Sequence, residues 1–90
     1  MNIPKKLKIG GHIYKVIFKK LEEKLGETNH AKCEIVIDNT SGKSQQEATL
    51  IHEIFHTING TMSESTLSHC LLDSLSEQFY QVLKDNKLIN

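Results

Sequence analysis

The sequence lacks several features that would point to a protein class at once. It has no tryptophan, one proline and two cysteines in 90 residues, and its eleven basic and eleven acidic side chains cancel. Two cysteines are too few for the disulfide scaffold of a small secreted domain. The balanced charge argues against a nucleic-acid-binding protein, because such proteins attract phosphates with an excess of lysine and arginine.

Long hydrophobic segments are also missing. No run approaches the roughly 18 consecutive apolar residues of a transmembrane helix, and the first residues, MNIPKKLKIGGH, lack the apolar core of a signal peptide. We therefore expect a soluble, cytoplasmic protein that does not bind a membrane. We also expect one domain over residues 1–90 with a thin core, because so short a chain buries only about 60–65% of its unfolded surface.

The first half of the chain predicts β-strands. Two β-prone segments, 6–9 and 12–18, are joined by Gly10 and Gly11. Gly-Gly predicts a two-residue hairpin turn, because both turn positions need a positive φ. The charged segment 19–25 predicts a short turn of helix that ends at Gly26. Residues 33–38 predict a third strand, with Cys33, Ile35 and Ile37 on one face.

The second half predicts two helices. Ser44 and Glu47 match a capping box, so the first helix is expected over residues 44–60. Its buried face is predicted to contain Leu50, Ile51, Ile54, Phe55 and Ile58. The second helix is expected over residues 66–84, with a core stripe of Leu67, Leu71, Leu72, Leu75, Phe79 and Val82. The predicted fold class is α+β, with two helices on a small antiparallel sheet that consists of the hairpin and the third strand.

The most informative segment lies in the first of these helices, where His52, Glu53 and His56 form an HExxH motif. Residues four apart lie on one helix face, so both imidazoles can bind one zinc ion. Zinc would acidify a bound water, and Glu53 would act as general base and carry the proton to a leaving amine. The motif also occurs by chance, but its place in an amphipathic helix favours a functional site over two surface histidines.

A catalytic zinc site needs a third protein ligand. Metzincins would have Gly at position 59 and His at position 62, and this chain has Asn59 and Met62. On a helical projection His69 lies nearest the packed face and is the first choice. Asp73, one turn further, is either the ligand itself or an acceptor that orients a histidine ring. The full set of candidates is Glu64, His69, Cys70, Asp73 and Glu77.

Other reactive side chains have no evident partner in the sequence. His12 and His30 are isolated, and we predict that both are surface histidines. Cys33 is predicted to be a small apolar residue of the third strand rather than a nucleophile. Nothing in the sequence places Tyr14 or Tyr80 near the motif.

Several segments together resemble a known group of proteins. KKLKIGGHIYKV, the GET triplet at 26–28, QQEATLIHEIFHTI and YQVLKDN are similar to segments of small phage- and prophage-encoded HExxH proteins. These proteins are grouped loosely with the ImmA/IrrE-type and SprT-like zinc metallopeptidases. The resemblance implies a minimal zincin fold in which His52 and His56 bind zinc and Glu53 is the general base. It also implies that the third strand is a sheet edge to which a peptide adds, through Cys33, Glu34, Ile35, Val36 and Ile37.

The expected function is therefore zinc-dependent hydrolysis of a peptide bond in a protein or peptide substrate. The alternative is a non-catalytic zincin-fold module of phage or mobile-element origin that binds a peptide or protein. Gluzincin-type relatives have a glutamate on the second helix and SprT-like enzymes a histidine. This chain has His69 and Asp73 in that region, so both stay open as third ligand. Mn, Fe or Co could occupy the same ligands as zinc.

Overall fold

Four strands and two helices make up the fold in a computed structural model that describes residues 1–61 and 67–89. The strands are β1 (Lys6–Ile9), β2 (His12–Lys19), β3 (Gly26–Asn29) and β4 (Glu34–Asp38), and the helices are α1 (Lys43–Thr61) and α2 (His69–Asp85). The strands form one mixed sheet in the order β1-β2-β4-β3. The predicted α+β class, with two helices and a small sheet, is confirmed. The predicted antiparallel sheet is only partly right, because β2 and β4 run parallel.

The predicted hairpin is confirmed in its register and its turn. Ile9 pairs with His12, so only Gly10 and Gly11 lie between the two strands. Their φ angles are 60° and 81°. Both values lie in the left-handed region that glycine adopts without a steric penalty. The Gly-Gly pair therefore fixes which residues of β1 and β2 face each other.

The third predicted strand exists, but it is not a sheet edge. β4 pairs in parallel with β2 on one side and antiparallel with β3 on the other. Its backbone N–H and C=O groups are therefore already used on both sides, and no further strand can add to it. The predicted peptide-binding edge is wrong for all five of its residues: Cys33, Glu34, Ile35, Val36 and Ile37. Cys33 precedes the strand with a φ of 53°.

The segment between β2 and β3 is irregular, and the helical turn predicted for residues 19–25 is wrong. Asp38, at the end of β4, holds this segment in place. Its carboxylate accepts a hydrogen bond from the Leu21 amide (3.1 Å), and its own amide donates to the Leu25 carbonyl (2.8 Å). These bonds hold the segment in a bent path, with a φ of 60° at Glu23, that leads directly into β3. Strand β3, which forms the sheet edge next to α1, was not predicted from the sequence.

Helix α1 begins one residue earlier than expected, and the predicted capping box is wrong. Glu47 does not fold back toward Ser44, because its carboxylate is buried in a charged network. Oε2 lies 3.0 Å from the α-amino group of Met1, and Oε1 accepts a hydrogen bond of 3.0 Å from the Tyr80 hydroxyl. The ammonium of Lys84 lies 3.5 Å from Oε1. This network ties α1 to the start of the chain and to the last turns of α2.

Helix α2 packs through a different face from the one predicted. Leu72 and Ser76 are its buried residues, whereas most of the expected stripe is about half exposed: Leu71, Leu75, Phe79 and Val82. The main core lies instead between the sheet and α1, and it consists of Tyr14, Val16, Ile35, Ile37 and Leu50. This orientation turns His69 and Asp73 toward α1. Neither helix of the described residues has the length and apolar content needed to cross a bilayer.

Candidate metal centre

Three side chains from the two helices converge on one point. The Nε2 atoms of His52 and His56 are 3.0 Å apart. Oδ1 of Asp73 lies 3.3 Å from Nε2 of His52 and 3.8 Å from Nε2 of His56. The helical spacing of four residues places the two histidines side by side. The buried Leu72 anchors α2 so that the next residue, Asp73, faces them.

The separations of these three atoms fit a small divalent cation. A circle through them has a radius of about 2.0 Å, and zinc binds imidazole nitrogen and carboxylate oxygen at about 2.0–2.2 Å. A zinc ion can therefore reach all three atoms at normal bond lengths without a change in the backbone. Two imidazoles and one carboxylate are also a donor set that zinc accepts. The described residues contain no other cluster of three such ligands.

Contacts around the cluster hold its histidines in the form that binds metal. The hydroxyl of Ser76 lies 3.3 Å from Nδ1 of His52, on the side of the ring away from the cluster. Burial lowers the pKa of His56, and the nearby His52 lowers it further, against the opposing effect of Glu53 and Asp73. A lowered pKa keeps the imidazole of His56 neutral, which is the state that a metal ligand requires.

The structure separates the candidates for the third ligand. Asp73 belongs to the cluster, whereas the ring of His69 packs beside that of His56, with 4.9 Å between ring centroids. The geometry therefore favours Asp73 over His69, the first choice from the sequence. Cys70 is exposed and is not part of the cluster. Glu64 lies outside the described residues.

Glu53 lies next to the cluster and is held by the edge strand β3. Its side chain is buried, and Oε1 accepts a hydrogen bond of 2.6 Å from the hydroxyl of Thr28. Two residues earlier, Gly26 lets β3 approach α1 closely. A Cβ atom at this position would lie 2.5 Å from Cγ2 of Thr49 and 3.3 Å from Cγ of Glu53. Gly26 and Thr28 therefore share the strand face that packs against the motif.

Two open clefts meet at the cluster. One, of about 540 Å³, lies between β3 and the second half of α1, and its walls include Thr28, His30, His52, Glu53 and His56. The other, of about 490 Å³, extends toward the start of α1, past Leu25, Gln45, Ala48 and Glu77. Glu77, a weaker candidate ligand, is thus a wall residue there. Glu53 and Asp73 line both clefts, so a molecule bound in either cleft would lie beside the Glu53 side chain and the cluster.

Three residues of this site were not predicted from the sequence. Ser76 was not predicted because the apolar stripe of α2 indicated a different buried face. Thr28 had only one signal, its place in the GET triplet of the family resemblance. His30 is exposed, as predicted, but it is not isolated, since it lines the cleft and contacts Tyr14.

Comparison with known proteins adds no family assignment. No protein-family model, no curated protein and no solved structure matches the chain. The arrangement of the side chains is therefore the main evidence on function.

Proposed function

We propose that the chain is a zinc-dependent peptidase of a minimal zincin type, related to the small phage-type HExxH proteins that its sequence resembles. One observation carries the proposal. Three metal-binding atoms from α1 and α2 converge with zinc-compatible separations, and the buried carboxylate of Glu53 lies at the same cleft. Structural zinc sites use four protein ligands, whereas catalytic sites use three and keep one position open. Three ligands in an open cleft therefore support a catalytic site.

The ligands in this proposal are His52, His56 and Asp73. When bound, zinc would supply Lewis acidity, which makes a water more acidic and polarises a carbonyl group. The carboxylate of Asp73 brings one negative charge and is half exposed, so it can adjust to the ion. The contact of Ser76 with His52 restrains one ring and favours binding through Nε2.

Glu53 is proposed to move the proton. Its buried carboxylate accepts the proton of the attacking water and then gives it to the leaving amine of the peptide. The hydrogen bond from Thr28 occupies Oε1, so Oε2 is the oxygen that is left to take the proton. The same bond restrains the carboxylate at the cleft, which lowers the cost of reaching the reactive geometry.

A peptide substrate is proposed to bind along β3. This strand is a sheet edge next to α1, so an extended peptide can add to it through backbone hydrogen bonds. A peptide bound there would lie beside the carboxylate of Glu53, which accepts a hydrogen bond from Thr28 of the same strand. Shallow clefts and an exposed edge suit an unfolded segment of a protein better than a small compact ligand.

The test compares the wild-type chain with Glu53→Gln, using an unfolded, alkylated protein as substrate and zinc at one equivalent. We expect wild-type cleavage, a loss of about 100- to 10,000-fold in Glu53→Gln, as for removal of a general base, and unchanged zinc binding in that variant. Glu22→Gln is the matched control, because Glu22 is exposed and pairs only weakly with Lys20 at 4.0 Å.

Three results would each contradict the proposal in a different way. Equal cleavage by wild type and Glu53→Gln would point to a contaminating protease. Zinc binding together with peptide binding but no cleavage would favour a non-catalytic binding module. Failure of the wild-type chain to bind zinc would remove the metal site itself.

A further inference from the structure

A buried tyrosine has no role in the proposed chemistry so far. Tyr14 is 2% exposed and belongs to the core between the sheet and α1. Its hydroxyl lies 3.2 Å from Nδ1 of His30, and the two rings meet edge to face at a centroid distance of 6.2 Å. A phenol hydroxyl in a core needs a partner, because burial without a hydrogen bond is costly. In the described part of the chain, that partner is His30.

With the Tyr14 hydroxyl as donor, this hydrogen bond sets the tautomer of His30. Burial raises the pKa of Tyr14, so its hydroxyl keeps its proton at neutral pH. That proton needs an acceptor, and Nδ1 of His30 is the acceptor within reach. In neutral imidazole, when Nδ1 accepts, Nε2 carries the hydrogen. His30 therefore presents an N–H donor at Nε2.

The ring of His30 is placed at the cleft by a second contact, at the end of α1. A Cβ atom on Gly60 would lie 2.6 Å from Cε1 and 2.7 Å from Nε2 of His30, so only glycine lets the ring lie this close to the helix. His30 follows β3 directly and lines the same cleft as His52, Glu53 and His56. Nε2 of His30 thus lies beside Gly60, which lines the same cleft.

We propose that His30 is a catalytic residue that donates its Nε2 hydrogen bond to the carbonyl oxygen of the cleaved peptide bond, and that Tyr14 is a positioning residue that orients it. The inference rests on the proposed peptidase function. Negative charge grows on this oxygen as the carbonyl carbon becomes tetrahedral. A donor held in place beforehand stabilises that charge without a cost of reorganisation. His30 transfers no proton in this step, so its protonation state is the same before and after.

The test measures kcat and KM for His30→Ala, His30→Gln and Tyr14→Phe, with His12→Ala as the matched control. His12 is also exposed and lies outside this cleft, but it lines a separate cavity with Tyr14 and His30, so it controls for disturbance of that cavity. We expect His30→Ala to lower kcat about 100- to 1,000-fold, as for loss of one oxyanion donor, with zinc affinity unchanged. His30→Gln should recover part of the loss, because its amide is a donor. Tyr14→Phe should have a smaller effect, and His12→Ala none.

A second measurement does not depend on activity. Nitrogen chemical shifts of the imidazoles in the metal-free protein report the tautomer, and His30 is expected as the Nε2–H form in wild type and as a mixture in Tyr14→Phe. An Nδ1–H tautomer in wild type would overturn the proposal. So would wild-type kcat in His30→Ala, and in that case the peptidase function itself would stand. Loss of zinc binding in His30→Ala would assign the ring to the metal site instead. A wild-type chain that cleaves nothing would refute both proposals.

Discussion

The choice between Asp73 and His69 as third ligand gives the sharpest prediction. In the structure, one oxygen of Asp73 completes a triangle of 3.0, 3.3 and 3.8 Å with the two histidine nitrogens, and His69 lies outside it. Asp73→Asn keeps the size of the side chain but removes its charge and most of its affinity for a cation. His69→Ala removes a ring that packs at a tilt beside that of His56 without joining the cluster.

The expected loss follows from the binding energy per ligand. Zinc sites of four ligands contribute about 10–16 kcal/mol, so one ligand is worth about 3 kcal/mol, or roughly a 100-fold change in Kd. At a free zinc concentration of 100 times the wild-type Kd, zinc should stabilise the wild-type protein by about 2.7 kcal/mol. Under the same conditions Asp73→Asn, with [L] near its Kd, should gain only about 0.4 kcal/mol.

The assay combines competition with a chelator of known affinity and urea unfolding with and without zinc. We expect His69→Ala to keep a zinc Kd within about threefold of wild type, because no ligand is removed. The reverse pattern, in which His69→Ala loses zinc and Asp73→Asn keeps it, would refute the assignment and move the ligand one turn toward the start of α2. Equal loss in both variants would mean that both side chains bind the ion.

Three further predictions concern the residues around the site. Thr28→Val should lower kcat about tenfold with unchanged zinc affinity, since it removes a hydrogen bond to a charged group worth about 1.5–3 kcal/mol, and Thr28→Ser should restore it. Glu47→Gln should lower the free energy of unfolding at neutral pH by about 2–4 kcal/mol, because it breaks a buried ion pair. Burial raises the pKa of Glu47, but hydrogen bonds from the Met1 amino group and Tyr80 outweigh it and hold the pKa below its usual value of 4.5. Its contribution is therefore present above that pH and lost as the pH falls below it, so urea unfolding should show the two proteins converging in acid. Gly26→Ala should destabilise the fold by about 1–3 kcal/mol through overpacking, whereas Gly42→Ala, with open space around it, should not; melting curves of both variants check this.

Local signals in the sequence were enough for the parts of the fold that local chemistry determines. Gly10 and Gly11 predicted the hairpin turn, because a positive φ at two successive positions leaves few other choices. The helical spacing of His52 and His56 predicted that their rings would meet. The strand at 34–38 was found from its apolar residues, which pack in the core.

The predictions were wrong where tertiary packing, rather than local sequence, determines the structure. The four residues of β3 have no alternating apolar pattern, and the strand forms because it pairs with β4 and packs one face against α1. Glu47 matched a capping box by spacing, but tertiary contacts with Met1 and Tyr80 determine its position. The apolar stripe of α2 predicted its buried face, whereas Ser76 is buried and Leu75 is not. Because the predicted buried face of α2 was rotated about the helix axis from the observed one, the sequence ranked His69 above Asp73 as third ligand.

The position of β4 between β2 and β3 also affects the order in which the protein assembles. β3 and β4 are neighbours in the chain and form a hairpin with a short connection. β4 also pairs in parallel with β2, which precedes β3 in the chain, and this pairing places Lys15 beside Glu34. Local pairings form before distant ones, because they close shorter loops. The hairpin brings Thr28 and leads into His30, and α1 brings the HExxH motif, so the cleft exists only after α1 has packed against β3. A newly made chain therefore has no cleft until α1 has packed against β3 and α2 against α1, and the proposed peptidase would be inactive until then.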